Sequence, residues 1–172
     1  MLKNVILTLL LISTSSAVYA ANDGTGPEIG KPAPMLNAST LDGGRYRLKT
    51  DLGSKKVINF FGVTCHACRD EMPELARLEK KFKDIKFISV HTILLEPEQD
   101  SEAVARFIKS LKGAPSNIVM TSSKQLGNDF NISALPHTLI LDENNIVLMS
   151  LSGYDKVNIQ NLDKALQHLT KP

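Results

Sequence analysis

The chain has 172 residues, 20 basic and 18 acidic, for a formal net charge of +2, with 42% apolar and 5% aromatic residues. That near-neutral balance points away from nucleic acid and from anionic membrane surfaces as partners. No internal repeat is visible, and the length suits one domain with its own core.

Met1 to Ala20 reads as a secretory leader. Lys3 supplies the positive start, Val5 to Ile12 a short apolar run, and Val18-Tyr19-Ala20 a small-residue cleavage site. The run falls short of the ~20 apolar residues of a comfortable membrane span, which leaves an uncleaved anchor as the alternative. No cysteine follows it to carry a lipid. Removing the leader leaves about 150 residues, a one-domain length. With Lys3 gone, the charge is close to +1. The mature chain is therefore expected outside the cytoplasm, most simply in a bacterial periplasm, where a single cysteine pair would serve disulfide exchange.

Residues 21–34 are rich in Gly and Pro and read as an extended linker, with residues 35–172 as the domain. Leu36 to Thr40 and Tyr46 to Leu48 flank Asp42-Gly43-Gly44 and predict a hairpin. Val57 to Phe61 is apolar enough for a strand buried on both faces. It leads through Gly62-Val63-Thr64 into Cys65-His66-Ala67-Cys68 and then a helix, in which Leu75, Leu78 and Phe82 form a core-facing stripe. Glu74, Arg77, Lys80 and Lys81 fall on its solvated side, and Pro73 lies within it, where a kink is expected.

Lys86 to Thr92 reads as a strand and Ser101 to Leu111 as a helix with Val104, Phe107, Ile108 and Leu111 on one side. Ile118 to Met120 is a short strand and Lys124 to Phe130 a short helix. Pro136 precedes the apolar strand from His137 to Asp142, Glu143-Asn144-Asn145 turns the chain, and Ile146 to Leu151 completes an antiparallel pair. Beyond Gly153, Ile159, Leu162, Leu166 and Leu169 make a final amphipathic helix. This alternation predicts an α/β fold with a mixed central sheet and helices on both faces.

The cysteines carry the chemistry. A thiolate is the reacting species, and a helix N-terminus favours it through unpaired N–H groups and the macrodipole. Cys65 falls at that mouth and Cys68 one turn deeper on the same face. A purely structural bridge across so short a loop gains only roughly 2 kcal/mol of chain entropy, against about 4.7 for a hundred-residue loop. A zinc site would need two further ligands at regular spacing, and no second CxxC or His pair exists. Redox exchange is the favoured reading.

The stretch from Val57 to Pro73, together with Pro136, resembles the thioredoxin superfamily, and within it the extracytoplasmic TlpA/ResA-type thiol–disulfide oxidoreductases. The resemblance covers most of the chain from about Ile29 and implies a thioredoxin-like fold with an added N-terminal β-hairpin. It implies that Cys65 is the nucleophile and Cys68 the resolving residue, that Glu71 is an active-site acid, and that Pro136 follows a cis peptide bond. The alternative on the residues alone is an ordinary trans Pro136 that opens a strand. Asn59 stands where cytoplasmic thioredoxins keep a buried Asp, and Thr64 stands at the position of the usual Trp, a residue this chain lacks. Leu94 to Glu98 begins the added segment that this subgroup places before its next strand, read here as a spacer that shapes the substrate groove.

The implied substrates are disulfide-containing extracytoplasmic proteins, for example a c-type apocytochrome, with a membrane thiol–disulfide relay as electron donor and no cofactor. Thr64, His66, Leu135 and His137 are expected to border the substrate. His66, if protonated, would stabilise the Cys65 thiolate. Glu71 is either the acceptor of the Cys68 proton or an exposed helix carboxylate. His137 reads more simply as an ordinary strand histidine than as a ligand. Three rival functions remain: a disulfide oxidase of the same fold, a thiol peroxidase, and a Cu(I) carrier built from Cys65, Cys68 and His137. The peroxidase is weakened by the absence of its Pro/Thr arrangement upstream of Cys65.

Overall fold

A computed structural model of the chain describes residues 24–92, 100–121 and 125–171. The leader, the segment Leu94 to Glu98 and Lys124 lie outside the described residues. The centre of the molecule is β3 (Lys56–Phe61), whose six residues are all buried. It pairs in parallel with β4 (Lys86–His91) and antiparallel with β6 (His137–Leu141), so both of its edges are satisfied. A strand covered on both faces requires such a continuous run, and Val57-Ile58-Asn59-Phe60-Phe61 supplies it with one polar exception.

Around that strand the sheet is mixed, in the order β2-β1-β5-β4-β3-β6-β7. The hairpin β1 (Asn37–Thr40) and β2 (Arg45–Arg47) joins it by pairing β1 with β5 (Asn117–Met120), and β7 (Val147–Ser152) pairs with β6 at the other edge. Leu48 does not extend β2. It opens a 3-10 turn, Leu48–Thr50, and buries its side chain in the core. The β6–β7 turn is organised by Asp142, whose Oδ1 accepts the N–H groups of Asn144 at 2.8 Å and Ile146 at 2.7 Å. Asn145 there has φ +63°, a conformation that Asn tolerates better than most residues.

Alternation along the strands divides the core. Ile58 and Phe60 face one side with Ile88, Val90, Leu139 and Leu141, against Leu126 and Phe130 of the α3 region (α3, Gln125–Asp129) and Leu36 and Leu48 of the hairpin. Val57 faces the other side with Phe87 and Ile140, against Leu75 and Leu78 of α1 (His66–Lys81) and Leu162, Ala165 and Leu166 of α4 (Lys156–Leu169). Phe61 and Met72 pack with Val104 and Phe107 of α2 (Ser101–Lys109) on that same side. Helices therefore cover both faces of the sheet. Asp100 and Asp155 cap α2 and α4 by accepting the N–H groups of Ala103 and Asn158 at 2.7 and 2.6 Å. The helix α1 runs through Pro73, and Phe82 sits at its C-cap.

The segment preceding the hairpin runs through bends and a turn at Ile29-Gly30 rather than as an extended linker, and it is tied to the body. Gly30 N–H donates to Val147 O at 2.8 Å, Val147 N–H to Lys31 O at 2.9 Å, and Ala33 N–H to Asn145 O at 2.9 Å. Gly26 and Pro27 are buried.

Candidate active site

The end of β3 delivers the chain to the mouth of α1. Cys65 is the N-cap of that helix, with extended backbone angles, and Cys65 N–H closes a turn onto Gly62 O at 3.3 Å. Its Sγ accepts the backbone N–H of Cys68 at 3.1 Å, the place where a capping oxygen would ordinarily sit. Cys65 and Cys68 are joined in a disulfide, with Cα atoms 5.2 Å apart. The two sulfurs differ in access: Cys65 is half-buried, whereas Cys68 is fully enclosed with Phe61, Met72, Val104 and Phe107. Thr64 and His66 are exposed on either side of Cys65.

One turn beyond Cys68, Glu71 points into the protein and is only 4% exposed. Its carboxyl is held between two strands. Asn59 Nδ2 donates to Oε2 at 2.6 Å, and Thr138 Oγ1 donates to Oε1 at 3.1 Å. Asn59 Nδ2 also reaches Thr138 Oγ1 at 3.1 Å, because the two residues are register partners across β3 and β6. Burial pushes the Glu71 pKa up to about 8, against the opposing pull of the Thr138 and Asn59 hydrogen bonds. Such a carboxyl titrates close to an ordinary thiol, so a proton can pass between the two kinds of group at little energetic cost.

The peptide bond from Leu135 to Pro136 is cis. Pro136 is buried, and its carbonyl accepts Gly153 N–H at 2.8 Å. Leu135 and Cys65 both pack at the margin of the cluster that encloses Cys68. Leu135 is thus brought to the cluster that holds Cys68. His137 is not. Alternation turns its ring to the sheet face opposite Thr138, where Nε2 lies 2.8 Å from Ser150 Oγ and the residue is 1% exposed. Among the described residues no three His, Cys, Asp or Glu side chains gather as a metal site, so the set Cys65, Cys68 and His137 is not assembled.

Two features had no place in the sequence reading. Thr138 completes the Glu71 cluster; the signal for it was a lone hydroxyl in the otherwise apolar run that follows His137. Arg69, directly after Cys68, lies 5.0 Å over the Phe107 ring and donates from Nη1 to Ser110 Oγ at 2.8 Å, fixing the start of α1 to the end of α2. It borders a cleft of 420 Å³ formed with Asp70, Pro73, Leu111, Lys112 and Tyr154. A larger groove of 890 Å³ at the hairpin edge contains neither cysteine.

A model of the AhpC/TSA family matches residues 29–150. The chain is 30% identical over 158 residues to the thiol-disulfide oxidoreductase ResA of Geobacillus thermodenitrificans (strain NG80-2), covering 88% of this chain and 86% of that one. Among solved structures, it is similar to a thiol:disulfide interchange protein of the thioredoxin family from Chlorobium tepidum TLS, with TM-score 0.65, 19% identity, and 83% and 97% of the two chains covered. It is also similar to the pneumococcal exposed lipoprotein thioredoxin (Etrx1) of Streptococcus pneumoniae strain TIGR4, with TM-score 0.66, 18% identity, and 78% and 98% covered. With a cysteine pair bridged across the first turn of a helix on a thioredoxin-like sheet, this chain belongs to the AhpC/TSA family and is a thiol–disulfide oxidoreductase.

Proposed function

We propose that this oxidoreductase works as a reductase of disulfides in extracytoplasmic proteins, with Cys65 as nucleophile and Cys68 as resolving thiol. The observation that carries the assignment is the asymmetry of the pair: the accessible sulfur caps α1 and accepts the Cys68 N–H, while the other sulfur is enclosed. In the reduced enzyme, Cys65 thiolate attacks one sulfur of a substrate disulfide. The substrate's other sulfur leaves as a thiolate and takes up a proton. Cys68, losing its proton to Glu71, then attacks Cys65 Sγ, and the second substrate thiol is released. Two electrons have passed to the substrate, and the enzyme holds the disulfide. A dithiol donor, by family resemblance a membrane relay, must return two electrons to reset it.

Glu71 suits the acceptor role because its carboxyl is enclosed and titrates near a thiol. Thr64 and His66 flank Cys65 in the chain, Leu135 packs against the cluster that encloses Cys68, and these residues with Pro136 would form the surface on which the substrate chain lies. The location outside the cytoplasm rests on the leader-like Met1 to Ala20, and the similar pneumococcal thioredoxin is described as an exposed lipoprotein. Among the described residues no helix is long and apolar enough to cross a membrane. A c-type apocytochrome, whose haem-binding cysteines must be reduced before attachment, is one substrate of the required kind.

Direction of electron flow is decided by potential. Anything that stabilises the Cys65 thiolate, such as His66, favours the reduced enzyme and raises its potential. One pKa unit is worth about 1.4 kcal/mol, or about 30 mV for a two-electron couple, so one exposed imidazole does not turn a reductant into a strong oxidant. Equilibrating the mature protein with glutathione should place the couple nearer about −270 mV than about −120 mV, the thioredoxin and strong-oxidant poles. A value at the upper pole, with rapid oxidation of a reduced test peptide, makes it a disulfide-forming enzyme instead.

A further inference from the structure

The stretch from Gly24 to Pro27 grips both ends of the loop that carries Pro136. At the start of that loop, Gly26 N–H donates to Asn131 O at 2.8 Å, and Asn131 Nδ2 donates back to Gly24 O at 3.3 Å and Gly26 O at 3.4 Å. Asn131 has φ +51°, in the left-handed region that Asn tolerates. At its end, the His137–Ser150 pair lies directly under the same stretch, and Ser150 Oγ donates toward Thr25 O at 3.5 Å. The fit at Gly26 admits no side chain. Its φ is +80°, and a Cβ would lie 2.1 Å from Ser150 Oγ and 2.4 Å from His137 Nε2. Between the two anchor points, Ser133 and Ala134 are exposed.

We propose that residues 24–27 are a clasp that positions the Pro136 loop for docking of polypeptide disulfides, with Gly26, Asn131, His137 and Ser150 as its positioning residues. The inference rests on the reading of Cys65 as the attacking sulfur beside that loop. A polypeptide substrate must lie along the loop, and a loop held in place beforehand does not have to be ordered out of the binding energy. A small disulfide needs only access to Cys65 Sγ and does not use the loop. The clasp therefore acts on KM for polypeptides and leaves the intrinsic reactivity of the cysteines alone.

The test is the full chain carrying Asn131→Asp with Ser150→Ala. The first change keeps a residue that tolerates the left-handed region and removes the Nδ2 donor; the second removes the hydroxyl between His137 and Thr25. Three quantities are read: amide hydrogen exchange at Gly26, kcat and KM for reduction of insulin, and the rate with hydroxyethyl disulfide. The Gly26 amide should exchange faster, the insulin KM should rise about tenfold, and the hydroxyethyl disulfide rate should stay within about twofold of the parent. Gly26→Ala should produce the same pattern by a steric route. A Gly26 amide that stays protected overturns the clasp. So does an insulin KM that does not move, and so do rates with both disulfides that fall together. A parent chain that reduces neither disulfide overturns the oxidoreductase reading itself, and the clasp with it.

Discussion

Thr138 Oγ1 donates to Glu71 Oε1 at 3.1 Å, joining the strand that follows Pro136 to the helix that carries both cysteines. With Asn59 on the other oxygen, the carboxyl is solvated by two side chains and no water-facing surface, and burial pushes it up to about 8. That value has a signed consequence for stability. Between the unfolded value of 4.5 and about 8, the folded protein binds a proton that the unfolded chain does not, so stability falls as pH rises through that window. The full change is on the order of 5 kcal/mol. Glu71→Gln should abolish this slope and leave the variant more stable than the parent above the window, measured as Tm against pH. It should also remove the Glu71-linked limb from the pH–rate profile of thiol exchange. An unchanged pH–rate profile would make the carboxyl a bystander.

Asn59→Asp places a second carboxyl against the first, at the position where Nδ2 now stands 2.6 Å from Oε2. Like charges at that distance cannot both ionise, so the pair should share one proton and lose it at higher pH than Glu71 alone. The expected result is an alkaline displacement of the pH–rate profile with a lower Tm at high pH than at low pH. A profile superimposable on the parent's would show that the residue at position 59 does not reach the carboxyl in solution.

Reduced protein should be alkylated first at Cys65. That sulfur faces solvent from the helix N-cap, where the Cys68 N–H and the helix dipole favour a thiolate, while Cys68 is enclosed by apolar side chains. Peptide mapping after a short pulse of iodoacetamide at neutral pH measures the ratio, expected to exceed about tenfold. Cys68→Ser should accumulate mixed disulfides with substrates and Cys65→Ser should not. Equal labelling with symmetrical trapping would remove the assignment of roles.

Lys56 opens the central strand and is fully enclosed, with Nζ donating to Ser54 O at 2.7 Å. Burial holds its ammonium below the usual lysine range, the nearby Asp51, Asp142 and Glu143 opposing that shift and Lys86 adding to it. Between the lowered folded-state value and 10.5 the unfolded chain therefore binds more protons than the folded one, and stability should rise with pH through that window. Lys56→Met keeps the length of the stem and deletes the charge. Its Tm at neutral pH should equal or exceed that of the parent, and its rise with alkaline pH should be smaller. A variant that melts well below the parent would show that the bond to Ser54 outweighs the desolvation of the charge.

How much of this was legible in the sequence follows from range. The cysteine site was legible because its parts are local: a buried run ending at Phe61, a turn, and a helix whose Leu75 and Leu78 mark its inner face through a period of 3.6. Glu71 could be placed one turn from Cys68 for the same reason. Its burial could not, since the partners that enclose it come from β3 and β6 and meet through the register Asn59↔Thr138. On a strand buried on both faces, every position may be apolar, so alternation loses its signal. Nothing in the order His137-Thr138 says which side chain faces the cysteines; pairing of β6 with β3 turned Thr138 toward Glu71 and His137 toward Ser150. The Gly- and Pro-rich stretch before the hairpin was legible as irregular backbone, because composition reports which dihedral angles a segment can adopt. The expected extended linker gives way to bends and a turn, with Gly24, Gly26 and Gly30 at positive φ. Where its N–H groups end up is a tertiary matter, decided by Asn131 and the turn between β6 and β7, which offer the carbonyls it binds.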